Sequence, residues 1–181
     1  ELTVTGSLTF EGCKHGMLMV DLGSNTGKVA SVVSIADNAT VNGVKVILNP
    51  APAPAEPLSK ELISNLYLIT PNRSEASRLT GIEVTDLASA QRAALALYDM
   101  GAKNVIITLG SEGSLVYDGK IMMRIEAIKV EAVDTTAAGD TFNAGLARAL
   151  SEGMELKDAL VFANAAAAIS VTAAGAQGGM P

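Results

Sequence analysis

The residue types best suited to chemistry fall in one stretch, Val133-Asp134-Thr135-Thr136-Ala137-Ala138-Gly139-Asp140-Thr141-Phe142-Asn143-Ala144-Gly145. It opens as an acidic turn, passes through three small residues, and leads into a helix expected from Phe142 to about Leu150. Small side chains at Ala137, Ala138 and Gly139 would let a ligand approach the backbone closely. The N–H groups of a first helical turn have no intrahelical acceptor, so they point at whatever sits there and form an anion site. An anion beside Asp140 would be repelled by it. The conflict resolves if Asp140 takes a proton from a hydroxyl that attacks a phosphoryl group. The plainer alternative is that Asp140 caps the helix.

The elements that must position this stretch can be read in chain order. Leu2–Phe10 alternates apolar and polar residues about a Gly-Ser turn, as a strand or short hairpin would. Cys13 and His15 follow, too few to form a metal site. Residues 16–22 read as a strand. Gly23-Ser-Asn-Thr-Gly27-Lys28 imitates a phosphate loop, but a P-loop needs four residues between its glycines and a Ser or Thr after the lysine, and here there are three and Val29. A loose helical pattern runs over 29–41. Strands are expected at Val44–Leu48, Leu66–Thr70, Asn104–Thr108 and Ile128–Val133, with a hairpin over residues 115–125 turning at Asp118-Gly119. Helices are expected at Lys60–Asn65, from Asn72, over Leu87–Met100 behind an Asp86 cap, at about Thr141–Ser151 and at about Leu156–Val171. In the last of these, Phe162, Ala165, Ala166 and Ile169 form an apolar stripe expected to face a sheet. Strands alternating with helices predict an α/β layered fold with a largely parallel central sheet flanked by helices.

Composition narrows the function classes. The 181 residues suffice for one domain with a substantial core. A formal charge of -6 without a basic run argues against nucleic acid and anionic membrane partners. No apolar run reaches the roughly 20 residues of a membrane helix. One cysteine cannot form an internal disulfide, which fits a cytoplasmic location.

The sequence Asp134-Thr-Thr-Ala-Ala-Gly-Asp-Thr-Phe-Asn-Ala-Gly145 resembles the second signature of the ribokinase family of sugar and nucleoside kinases. Four more segments agree, in the family's order: Asn49-Pro-Ala-Pro-Ala53, Thr70-Pro-Asn-Arg-Ser-Glu-Ala76, Thr108-Leu-Gly-Ser-Glu-Gly113 and Phe162-Ala-Asn-Ala-Ala-Ala-Ala168. The resemblance runs from about residue 44 to the end and implies a ribokinase-like nucleotide-binding region over 44–181. Residues 1–43 match poorly and form an N-terminal remnant, because the family's early sugar-binding segments are missing. A truncated ribokinase-like fold is therefore expected, without most of its N-terminal half.

The same resemblance implies ATP-dependent phosphorylation of a sugar hydroxyl, with ribose the expected sugar. Asp140 would be the base, close to the sugar, and the amides around Ala137, Ala138 and Gly139 would hold charge on the phosphoryl group. Asn72 and the segment Thr108, Leu109, Gly110, Ser111, Glu112 and Gly113 would lie along the nucleotide, with Asn164 near adenine. Glu75 would serve Mg2+ through its waters. Asp134 and Thr136, with carbonyls of Ser170, Ala173, Gly175 and Gly179, would hold K+, since oxygen donors suit a hard ion. Asp21 is the candidate sugar ligand at the end of the strand over 16–22. A lid-like strand at Glu1–Gly6 would offer a homodimer contact. Each assignment has a plain counterpart: a capping box for Asn72 and Glu75, an ordinary glycine turn for 110–113, a solvated Asn164 and a flexible glycine tail. Two other functions share these motifs, a nucleoside kinase and a nucleotide-binding remnant without sugar turnover.

Overall fold

A computed structural model describes residues 16–21 and 44–181. The readings of Leu2–Phe10, of Cys13 and His15, of the 23–28 loop, of the helical pattern over 29–41 and of the lid-like strand lie outside the described residues. The strands are β1 (Gly16–Asp21), β2 (Val44–Asn49), β3 (Leu68–Ile69), β4 (Val105–Thr108), β5 (Ser114–Tyr117) and β6 (Met122–Ile125). The helices are α1 (Lys60–Asn65), α2 (Arg73–Thr80), α3 (Leu87–Asp99), α4 (Ala138–Ser151) and α5 (Leu156–Ser170). The six strands lie side by side in sequence order. β1 to β4 are parallel, and β5 and β6 return antiparallel.

Strands of a parallel sheet covered on both faces read as continuous apolar runs, and β4 and the Val46–Leu48 part of β2 do so. Their alternation divides the core into two layers. Val46, Leu48, Ile69, Val105 and Ile107 face one way, onto Ile63, Ala76, Ala90, Ala94 and Leu97 of α1, α2 and α3. Ile47, Leu68, Ile106 and Val116 face the other way, onto Phe142, Leu146, Leu160 and Ala163 of α4 and α5. The result is a three-layer α/β/α sandwich in which alanine-rich helices approach the sheet closely.

Local signals hold where they are strong. Asp86 accepts a hydrogen bond from Ser89 N at 2.7 Å to cap α3, and Gly101 closes that helix with φ 116°. The 115–125 hairpin forms, its turn organised by Asp118, which accepts from the amides of Lys120 and Ile121.

Three expectations are corrected. Residues 128–133 form no strand: the amides of Val133 and Asp134 both donate to Val171 O, so the segment is tied to the end of α5 rather than to a sheet edge. α4 begins at Ala138, earlier than expected. The α5 stripe expected to meet the sheet is divided: Phe162 and Ile169 face outward, whereas Ala166 is buried against α4. Phe162 is 44% and Ile169 51% exposed, while Leu160, Ala163 and Asn164 are buried. The α4–α5 contact is so close that a side chain on Gly145 would meet Ala166 Cβ at 3.1 Å, so the small-residue face turns inward and the bulky one outward.

Candidate active site at the carboxyl edge of the sheet

Parallel strands bring all their carboxyl ends to one edge, where ligands of open α/β sheets bind. β1 ends at Asp21, in register with Asn49 at the end of β2. β3 runs into Thr70, Pro71 and Asn72, and β4 ends at Thr108. Thr108 N donates to Pro71 O at 3.0 Å, and Asn72 and Thr108 form an isolated parallel bridge. Two motifs far apart in sequence, 72–75 and 108–113, therefore start side by side.

The first motif is a complete capping box. Asn72 Oδ1 accepts from Glu75 N at 2.9 Å, and Asn72 N donates to Glu75 Oε2 at 2.8 Å. Glu75 is buried, and the loss of solvent raises its pKa above the usual carboxylate value against the opposing Asn72 bonds. A cation near Glu75 would favour its charged form. Among the described residues no three His, Cys, Asp or Glu side chains gather as a metal cluster.

The second motif forms a 3₁₀ turn over Gly110–Glu112. Gly110 and Gly113 have φ 63° and 91°, a region that favours glycine, and a side chain on Gly113 would collide with Ile125 O. Glu112 pairs with Arg73 of α2, and its carbonyl accepts from Arg124 Nε at 3.1 Å. Asn164 is buried, not solvated, and its Nδ2 lies 3.4 Å from Ser114 Oγ, directly after the turn.

The third group is the turn before α4. Asp134 Oδ1 accepts from Thr136 N at 2.9 Å and from Thr136 Oγ1 at 2.7 Å, and Oδ2 accepts from Gly175 N at 2.9 Å. These bonds, the Thr136 hydroxyl first, hold the Asp134 pKa down to about 2. Asp134 thus draws the 134–136 turn and the C-terminal segment together. Gly179 packs on the carbonyl of Ser170, where any side chain would collide. Ala173 is half-buried in the same run of turns.

Asp140 does not cap α4. Ala137 holds the N-cap position, with φ 62° and no side-chain bond, and Asp140 lies exposed in the first helical turn. The left-handed conformation is strained for alanine. It turns the chain sharply enough that Ala138 N donates to Thr135 O and Thr141 N to Ala137 O. The amides of Gly139 and Asp140 are then the ones that helix geometry leaves for a ligand. Gly139 is helical, with nothing within 4 Å of where a Cβ would stand.

A buried polar chain, given no role by the sequence reading, joins these groups. Asn49 Nδ2 donates to Thr70 O at 2.8 Å and reaches Thr70 Oγ1 at 3.3 Å. Thr70 Oγ1 meets Asn143 Oδ1 at 2.7 Å, and Asn143 Nδ2 donates to Gly139 O at 2.9 Å. A signal was present in Asn143 itself, a polar residue within an otherwise apolar helix face.

This arrangement belongs to the α/β proteins that take ligands at the carboxyl edge of a parallel sheet. The model of the pfkB family of carbohydrate kinases matches residues 13–181, and the chain belongs to that family. It is 49% identical to ribokinase of Haemophilus influenzae over 84% of this chain and 49% of that protein. It is 40% identical to ribokinase of Staphylococcus aureus over 84% of this chain and 50% of that one. Among solved structures, Thermotoga maritima ribokinase superposes with TM-score 0.70 at 42% identity, over 78% of this chain and 47% of that chain. Arabidopsis thaliana ribokinase complexed with ribose and ATP gives 0.71 at 37%, over 77% and 45%. The chain thus spans about half the length of the curated relatives it matches.

Two expectations follow from this geometry. Gly139→Ala should fold normally and gain up to about 1 kcal/mol of stability, because alanine favours the helix. It should weaken binding of a non-hydrolysable ATP analogue at least about tenfold, roughly 1.4 kcal/mol, by placing a methyl where a phosphate would approach. Calorimetry beside thermal denaturation checks both, and unchanged affinity would remove this turn from the nucleotide site. The second concerns acid. Asp134 has a folded pKa of about 2 against an ordinary 3.8, so in the window between them the unfolded state binds more protons. Its contribution to stability is present above that window and is lost as pH falls through about 2. In potassium-free buffer, denaturant unfolding of Asp134→Asn should show a shallower loss of stability through this window. Parallel losses in the two proteins would contradict the assignment.

Proposed function

We propose that this chain supplies the phosphoryl-transfer machinery of an ATP-dependent sugar kinase acting on ribose. The observation that carries the reading is the convergence of Asn72, Thr108–Gly113 and the Ala137–Asp140 turn at the carboxyl edge of one sheet. The nucleotide would lie along Thr108–Gly113, with adenine toward Asn164 and its terminal phosphate on the amides of Gly139 and Asp140. Asp140, exposed on the first turn of α4, would accept the proton of the attacking sugar hydroxyl while its neighbouring amides hold charge on the phosphoryl oxygens. Asp21, at the edge beside Asn49, would bind the sugar.

Magnesium would be held near Glu75 and Asn72, and supplies neutralisation of phosphate charge when bound. Potassium would be held by Asp134, the Thr136 backbone and carbonyls of Ser170, Ala173, Gly175 and Gly179. The support is that Asp134 already bonds Gly175 and that the donors are oxygens. A similar solved structure, phosphofructokinase-2 of Escherichia coli in complex with potassium, at 26% identity, is consistent with this. In this reading the chain works in the cytoplasm. Among the described residues no helix is long and apolar enough to cross a membrane.

A second reading is nucleotide binding without sugar turnover. It is favoured by the imbalance between many candidate nucleotide contacts and two candidate sugar contacts, Asp21 and Asp140. One experiment separates the readings: titration with the ATP analogue and with ribose, beside ADP release over a panel of sugars and nucleosides. The kinase reading expects analogue binding and ribose-dependent turnover. In that case Asp140→Asn should cut turnover about 10²–10⁴-fold, with analogue affinity nearly unchanged. Binding without turnover selects the second reading. No nucleotide binding at all, or full turnover by Asp140→Asn, would overturn the site as drawn.

A further inference from the structure

The bond chain from Asn49 to Gly139 has a direction, and the direction follows from donor chemistry. The carbonyl of Gly139 can only accept, so the Asn143 side chain must present its NH₂ there and its Oδ1 to Thr70. Asn143 Oδ1 is an acceptor, so the short 2.7 Å contact requires the Thr70 hydroxyl to donate. That uses the single Thr70 hydroxyl proton, and its oxygen is left to accept from Asn49 Nδ2 at 3.3 Å. The longer approach of Thr70 Oγ1 to Leu48 O, 3.4 Å, is the alternative that the Asn143 bond displaces. Every member therefore has one assigned role, and reversing any bond breaks its neighbour.

Two features argue that this chain does more than fill space. Thr70 is 0% and Asn143 2% exposed. A buried amide within a helix costs desolvation unless its partners are made, and an apolar residue at 143 would extend the surrounding contacts of Phe142, Leu146 and the sheet. The second feature is what the chain grips. A peptide unit is planar and trans, so its C=O and N–H point in opposite directions. Fixing the carbonyl of Gly139 fixes the amide of Asp140, one of the two left for a ligand. The other end of the chain is Asn49, which stands in register with Asp21.

We infer that Thr70 and Asn143 are positioning residues: together with Asn49 they form a directional relay that sets the Gly139–Asp140 peptide plane from the strand ends. The relay rests on the kinase reading for its consequence in catalysis and on geometry alone for its effect on the turn. The sugar-side strand ends and the phosphate-side turn are then one rigid unit.

The test uses Thr70→Val, which keeps shape and removes the hydroxyl, Asn143→Leu as an independent break, and Thr70→Ser, which restores the donor. Two readouts are taken on the full chain. In hydrogen exchange, the hydrogen-bonded amides of Ala138 and Thr141 should exchange at least about tenfold faster in Thr70→Val and Asn143→Leu, with those of α3 unchanged. In turnover, kcat should fall about 10- to 100-fold, the scale of a small misplacement at the reacting atoms. KM for ATP should move less than threefold or so if binding is mostly elsewhere. Thr70→Ser should recover most of both. Faster exchange spread evenly over the chain, in step with a lower melting temperature and with kcat per folded molecule unchanged, would reduce the relay to ordinary packing and overturn the inference. If the unaltered chain turns over no sugar, the kinase reading falls, while the exchange pattern still decides whether the relay holds the turn.

Discussion

The side chain of Asn143 binds the Thr70 hydroxyl on one side and the Gly139 carbonyl on the other, and the rest of the candidate site depends on that tie. Apolar packing of Phe142, Leu146 and Leu160 brings α4 and α5 onto the sheet. Such packing is non-directional and tolerates small slides and rotations. Hydrogen bonds to a strand end do not. The helix is thus held to the sheet by area and placed on it by a few polar groups. Asp134 does the same for the preceding turn, joining Thr136 to Gly175.

This division of labour explains why the site tolerates its own strain and charge. Ala137 sits in a left-handed conformation that alanine disfavours, and the flanking bonds of Asp134, Thr135 and Thr141 over-determine it. Asp140 then projects from a turn whose amides attract anions. In the proposed function a carboxylate and a phosphate would compete for one helix terminus, an arrangement that makes sense if the carboxylate's charge is consumed by a proton during reaction. The exposed ion pairs Arg73–Glu112 and Arg148–Glu152 contribute little to stability, about 0–1 kcal/mol each. The first also orients the turn over Gly110–Glu112 against α2.

The legible parts of the sequence were those written in local chemistry. Asp86 before an apolar period, Asn72 three residues before Glu75, and Asp118-Gly119 between two largely apolar runs each specify their element without help from the rest of the chain. The elements misread are those decided by distant partners. Ile128–Val133 has strand composition but bonds to the end of α5. α5 is so rich in alanine that its sheet-facing side is identified by smallness rather than hydrophobicity, which put Phe162 and Ile169 on the wrong side. The start of α4 was hidden because no side chain signals a left-handed alanine. In the site, the motif segments were visible as strings, and Asn143 stood out as a polar residue on an apolar helix face, but its partner Thr70, 73 residues away, is set only by the fold.

In the proposed function the first turn of α4, held by this polar framework, receives the terminal phosphate of a nucleotide. Nuclear magnetic resonance of the ¹⁵N-labelled chain, titrated with a non-hydrolysable ATP analogue and then with ADP, tests it directly. The amides of Gly110–Gly113 should shift with both ligands, and those of Gly139 and Asp140 should shift strongly only when the third phosphate is present. Static Gly139 and Asp140 resonances at saturation with the analogue, or equal shifts with ADP, would contradict it.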